Sequence, residues 1–172
     1  STTIKMTAHN NNPIPTLNFS LSPSEIVSSA KKEIESSNSL FSQLLSIPVE
    51  SRNVANVLLP WAQWEGEFTT NSTNYTFVQH VSADSAIRDA GIEANKLLDH
   101  FIIEKGARED LYLLAKSVAK EQDEDPEITR FREKLLQEFK HNGLELSPEQ
   151  RETLKKKRQR LAELAVDFSN TM

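Results

Sequence analysis

Residues 77–110, FVQHVSADSAIRDAGIEANKLLDHFIIEKGARED, decide how this chain folds. The first five residues read as an extended lead-in. Ser82 stands where a helix cap belongs, because its hydroxyl can accept from a backbone N–H that has no partner within the helix. From there Ile87, Ala90, Ala94, Leu97, Leu98 and Phe101 recur at steps of three and four, the period of an α-helix with one apolar stripe. Arg108-Glu109-Asp110 then restarts a helix.

The same pattern extends in both directions. Upstream, Ser22-Pro23-Ser24-Glu25 is a capping box with proline at the first helical position. Ile26, Ala30, Ile34, Phe41 and Leu45 follow on one face. A second helix is expected over roughly Glu50 to Thr69, with Val54, Val57, Leu58, Trp61, Trp64 and Phe68 on one side. Pro60 should kink or split it, since proline removes a helical hydrogen bond. Asn71 to Thr76 reads as a loop. Downstream, the fourth helix carries Leu111, Leu114, Ala115 and Val118. Asp125-Pro126 opens the fifth, which carries Ile128, Phe131, Leu135 and Phe139 and closes at Asn142-Gly143 in a left-handed cap. Ser147-Pro148-Glu149-Gln150 is a second capping box, and Leu154, Leu161, Leu164, Ala165 and Phe168 continue its helix.

No alternating run long enough for a strand interrupts this pattern. The expectation is an all-α chain of about six amphipathic helices, with an extended N-terminal tail over 1–21 and a helical domain over 22–172. No glycine, proline or cap follows Phe168, so the sixth helix reads as cut in mid-element and the chain as a fragment.

Composition narrows the function classes. The chain has 172 residues, enough for one domain with a core. Its net charge of −5 offers no general field for nucleic acid. Cysteine is absent, so a disulfide framework, a thiol nucleophile and a thiolate metal site are excluded. No apolar run reaches the roughly 20 residues of a membrane span. Residues 1–20 show neither an apolar signal core nor the arginine richness of a transit peptide, and a cytoplasmic location is expected. Sequons at Asn18, Asn71 and Asn74 read as chance in a Ser/Thr/Asn-rich segment.

The chemistry-bearing residues form no recognisable centre. A zinc peptidase centre on one helix needs two histidines a turn apart, so that both rings reach one ion, with a glutamate beside them to polarise water. His9, His80, His100 and His141 include no such pair. There is no Gly-x-Ser-x-Gly elbow, and Gly66, Gly91, Gly106 and Gly143 are isolated rather than gathered in a phosphate loop. Asp123-Glu124-Asp125 reads as a solvated helix start. Lys155-Lys156-Lys157-Arg158-Gln159-Arg160 could suggest nucleic-acid binding, but it lies between Leu154 and Leu161 of an amphipathic helix and reads as its solvent face. Trp61, Trp64 and Phe68 read as core.

A set of short patterns, spread in order from Leu17 to Met172, carries a resemblance. They are Gln79-His80-Val81-Ser82, Ile87-Arg88, Ala94-Asn95-Lys96-Leu97, Arg108-Glu109-Asp110, Arg130-Phe131, Asn142-Gly143-Leu144 and Asp167-Phe168-Ser169. The chain resembles the N-terminal helical region of the thimet oligopeptidase family, the neurolysin-like zinc metallopeptidases. The resemblance implies a helical lobe forming one wall of a deep channel that admits short peptides. It implies zinc in the full-length protein, bound through a His-Glu-x-x-His motif that no position here matches. Accordingly no catalytic, cofactor-binding or metal-binding residue is assigned. The chain alone is expected to be inactive, with short peptides as partners of the full-length protein. The alternative is a stand-alone helical interaction module without catalysis. A fragment would also expose apolar helix faces, so dimerisation through the sixth helix and the face around Trp61 and Trp64 is expected.

Overall fold

A computed structural model of the chain describes residues 18, 20–120, 124–154, 156, 157 and 160. The tail expected before residue 18 and the apolar positions Leu161, Leu164, Ala165 and Phe168 lie outside the described residues. Those described fold into six α-helices with no strand: α1 (Pro23–Ser46), α2 (Leu59–Thr76), α3 (Val78–Val81), α4 (Ser85–Gly106), α5 (Glu109–Ser117) and α6 (Pro126–His141). A further helical stretch begins at residue 148. The all-α expectation holds.

Helix α1 starts as its capping box dictates. Ser22 N–H donates to Glu25 Oε2 at 2.8 Å, and Glu25 N–H donates back to Ser22 Oγ at 3.4 Å. Its buried face is Ile26, Ala30, Ser37, Phe41 and Leu44. Ser37 sits among apolar residues because both of its polar needs are met. Its hydroxyl donates to the Glu33 carbonyl at 2.6 Å and accepts from Trp64 Nε1 at 2.8 Å.

The second expected helix divides. Residues Val49–Ser51 form a single 3₁₀ turn, and Asn53 and Asn56 cap each other reciprocally at 2.9 and 3.0 Å. Residues Val54–Leu58 then make a π-helical turn, and α2 follows without a gap. The wider turn sits just ahead of Pro60, which lacks the N–H a regular α-turn requires. Beyond it the expectation of a loop over Asn71 to Thr76 is wrong: α2 continues to Thr76. Thr69, Thr70, Thr73 and Thr76 each turn their hydroxyl back to the carbonyl four residues earlier, at 2.7–2.9 Å. Asn71 Nδ2 donates to Glu33 Oε2 of α1 at 3.0 Å, which ties this polar segment to its neighbour. Residues 78–81 are not an extended lead-in but the short helix α3. Val78 packs over Gly91, where an added Cβ would meet it at 2.9 Å and the Gln79 backbone at 3.0 Å. The cap of α4 is Asp84, whose carboxylate accepts from Ala86 N–H at 2.8 Å; Ser82 instead accepts from Asp84 N–H at 3.2 Å.

Helix α4 is central, with α1, α2 and α3 packed on it. It offers Ala90, Gly91, Ala94, Leu98 and Phe101, small residues first and large ones later. Helix α5 packs on α1 and α6. Trp61 lies in the middle of the core, wholly buried, with Phe41 edge-on at 5.1 Å and Phe139 at 6.1 Å. Trp64 and Phe68 are buried as well. This removes the Trp61–Trp64 face as a route to dimerisation, because α1, α4 and α6 already cover it.

Helix α6 ends as expected. Gly143 adopts φ 90°, and Leu144 N–H reaches back to the Phe139 carbonyl at 3.2 Å. A Cβ on Gly143 would also lie 2.8 Å from Leu154 Cδ2. Replacing Gly143 with alanine is therefore expected to destabilise the chain by about 1–2 kcal/mol. That should lower the melting temperature by several degrees. An unchanged thermal transition would show that the turn tolerates a side chain.

Candidate functional site

Two hollows lie along α4. Along one flank, a shallow groove of about 410 Å³ is lined by Ile102 and Ile103 of α4 and by Lys134, Gln137, Glu138 and His141 of α6. Along the other, a cavity of about 290 Å³ lies between α2 and α4, with Glu138 of α6 closing one side. Ile102 and Glu138 line both, so the two hollows adjoin. A third hollow, of about 310 Å³, lies between Leu146 and the first turns of the stretch that starts at 148.

The α2–α4 cavity holds the least expected side chain of the fold. Lys105 is 4% exposed and continues the buried stripe of Ala94, Leu98 and Phe101. Its Nζ lies 5.0 Å from the Trp64 ring centroid, a cation–π contact. The sequence reading ended that stripe at Phe101, although Lys105 follows one turn later at the same spacing. A long charged residue there is ordinarily read as a snorkelling surface residue. What holds it in is the Trp64 face, which only the packing of α2 against α4 supplies.

The histidines are placed apart. His80 is exposed on α3, and His100 is exposed on α4 with Glu104 3.6 Å away. His141 ends α6 and lines the shallow groove. His9 lies outside the described residues. Among the described residues no three His, Cys, Asp or Glu side chains come together closely enough to hold a metal ion. The described donors thus do not fit a zinc centre, and no chemical step can be built on them. No described helix is long and apolar enough to cross a membrane.

Other polar features are accounted for by structure. Lys156 and Lys157 of the basic run are exposed, as its reading as a solvent face requires. Glu145 accepts from the Tyr112 hydroxyl at 2.8 Å and pairs with Lys140 at 3.2 Å. The Tyr112 bond, together with the lysine charges, holds the Glu145 carboxyl below its ordinary range, while burial pushes the Tyr112 phenol up. Burial likewise raises the Glu33 carboxyl, partly offset by the bond from Asn71. That bond uses the Asn71 side-chain nitrogen, the atom a glycan would need.

No family model matches the chain. Individual relatives do. It is 29% identical over 160 residues to saccharolysin of Saccharomyces cerevisiae, covering 90% of this chain and 22% of that protein. It is 28% identical over 162 residues to a thimet-like oligopeptidase of Dictyostelium discoideum, covering 91% of this chain and 24% of the other. A probable thimet oligopeptidase of Arabidopsis thaliana is 27% identical over 154 residues, 89% of this chain and 22% of the relative. The chain thus spans less than a quarter of the length of these curated relatives. These matches run along about nine-tenths of the chain and agree in kind, so the chain is similar to proteins named for thimet oligopeptidase and saccharolysin.

Proposed function

We propose that this chain is the N-terminal part of a zinc metallo-oligopeptidase that hydrolyses short peptides in the cytoplasm. Its helices would form part of one wall of the substrate channel. The observation that carries the reading is the continuous match to oligopeptidases over about 90% of the chain. The channel role follows from a physical argument. A rigid helical lobe that brings no metal ligands can still contribute to catalysis by shape, admitting an extended peptide and excluding folded proteins. Zinc, its ligands and the water it polarises would then belong to the remaining length of the protein.

The test compares two proteins on one quenched fluorescent peptide of about ten residues. The complete open reading frame that contains this sequence is expected to cleave it and to lose that activity with a chelator. The purified 172-residue chain with added zinc is expected to leave it intact. Chelator-resistant cleavage by the complete protein would overturn the zinc reading. A native product of only 19.5 kDa without activity would make the chain a stand-alone interaction module instead.

A further inference from the structure

Helices α4 and α6 approach each other at their C-terminal ends. Gly106, the last residue of α4, closes that corner: a Cβ on it would lie 2.6 Å from the Nδ2 of Asn142, the cap of α6. Elsewhere the two helices lean on other elements. Helix α4 packs on α1, α2 and α3, and α6 packs on α5 and the π-helical turn. What lies between them ahead of the corner is the shallow groove of about 410 Å³. Its α6 wall runs from Lys134 to His141, about two helical turns or roughly 10 Å.

The α4 wall is apolar. Ile103 is 71% exposed, more than any other large apolar residue described, and Ile102 beside it is half-buried. A lone isoleucine on a convex surface needs no explanation. Two on one wall of a groove between helices present the kind of hole that a knob from a third helix fills. On the facing wall Lys134 and Glu138 stand one turn apart, both exposed, so the rim offers one charge of each sign. That lining suits an amphipathic helix with an aliphatic side chain turned inward and charged residues flanking it.

The length of polypeptide outside this structure points to where such a helix comes from. The chain spans 22–24% of saccharolysin and the two thimet-type relatives, so more than three-quarters of a protein of that length lies outside it. A second copy of the chain is the poorer occupant. A stable interface buries about 800 Å² per partner, and two isoleucines with one pair of opposite charges supply little of that. A segment of the same polypeptide meets the groove at an effective concentration on the order of millimolar, so far fewer contacts hold it. We propose that the α4–α6 groove is the docking seat of an amphipathic helix from the downstream part of the same polypeptide. That helix sets an aliphatic side chain against Ile102 and Ile103 and polar residues beside Lys134 and Glu138. The inference rests on the reading of this chain as part of a longer protein, and not on the zinc chemistry.

The test places a thiol at the exposed isoleucine. Ile103→Cys is made in the 172-residue chain, which has no other cysteine, and in the complete open reading frame. Alkylation of residue 103 by iodoacetamide is followed by peptide mass spectrometry. In the 172-residue chain the rate should lie within about two-fold of that in urea, and in the complete protein it should be at least about ten-fold slower. A second variant, Ile103→Lys, is expected to leave the melting temperature of the 172-residue chain unchanged, because exposed substitutions matter little. It should lower that of the complete protein by a few degrees. A photoactivatable diazirine residue at 103 should cross-link the complete protein to a peptide downstream of residue 172. Equal alkylation rates in the two proteins would leave the groove open and overturn the proposal. So would a cross-link to a second copy, or protection of the 172-residue chain that grows with its concentration. A native product that ends at residue 172 would overturn both this inference and the peptidase reading. Protection at 103 in a complete protein whose cleavage resists chelators would sink the zinc reading alone.

Discussion

Replacing Trp61 with alanine is expected to destabilise the chain by about 3–5 kcal/mol. The indole is wholly buried and joins elements distant in sequence, with Phe41 of α1 at 5.1 Å and Phe139 of α6 at 6.1 Å. Truncation leaves a cavity in the middle of the core that helices anchored elsewhere cannot close. A refinement comes from the ring nitrogen. Trp61 Nε1 is buried without a partner among the described residues, whereas Trp64 Nε1 is satisfied by Ser37. A buried unmet donor costs about 1–3 kcal/mol. Trp61→Phe keeps most of the packing and removes that donor, so it should cost far less than alanine. Urea denaturation of the two variants decides the matter. A loss below about 1 kcal/mol for alanine would contradict the central packing role. Equal losses for the two would contradict the unmet donor.

Replacing Arg132 with methionine is expected to cost about 3–5 kcal/mol, for an electrostatic rather than a packing reason. The guanidinium is buried on the inner side of α6. It donates to the Val118 carbonyl, to the Ala119 carbonyl at 3.2 Å and to the Glu124 carboxylate. One side chain thus holds both ends of the connection between α5 and α6. The Glu124 side chain is only 2% exposed, so removing its partner leaves a buried charge supported by Thr129 Oγ1 at 2.9 Å and the charge of Lys120. The double variant with Glu124→Gln should recover part of the loss, because it removes the stranded charge. A double variant no more stable than Arg132→Met would contradict that account.

The same pair carries a pH dependence. Burial alone would raise the Glu124 carboxyl, but the hydrogen bonds from Arg132 and Thr129 and the charges of Arg132 and Lys120 outweigh it, leaving the group below its ordinary range. A carboxyl with a lower pKa folded than unfolded contributes stability that is fully present above the ordinary glutamate range. That contribution fades as pH falls through the folded value. The stability difference between the native chain and Arg132→Met should therefore shrink on acidification. A difference that stays constant down to pH 3 would place the cost in packing.

How much of this was legible beforehand varies by element. The stripes of α1, α5 and α6 were readable because each buries one face and leaves the other to solvent, and 3.6-residue periodicity reports that directly. The box at Ser22 and the glycine at 143 were readable because their stereochemistry is local. The segment 71–76 was not. Its Asn, Ser and Thr residues favour turns in isolation. They remain helical here because α1 lies alongside and Glu33 takes up Asn71. The same limit applies to the α2–α4 cavity. Lys105 belongs to no motif, and it became notable only once the packing of α2 against α4 set it over the Trp64 ring.

The sequence alone therefore determined that the chain is all-helical, where α1, α5 and α6 start and where α6 ends, and which large side chains form the core. These follow from interactions between residues a few positions apart and from the cost of leaving apolar surface in water. Only the tertiary structure decided that Ser37, Lys105 and Arg132 would be buried, that α2 would run on to Thr76, and that the Trp61–Trp64 face would be covered. Burying a polar group is costly unless a partner meets it, as Trp64 meets Ser37 from another helix, and no local pattern encodes that partner.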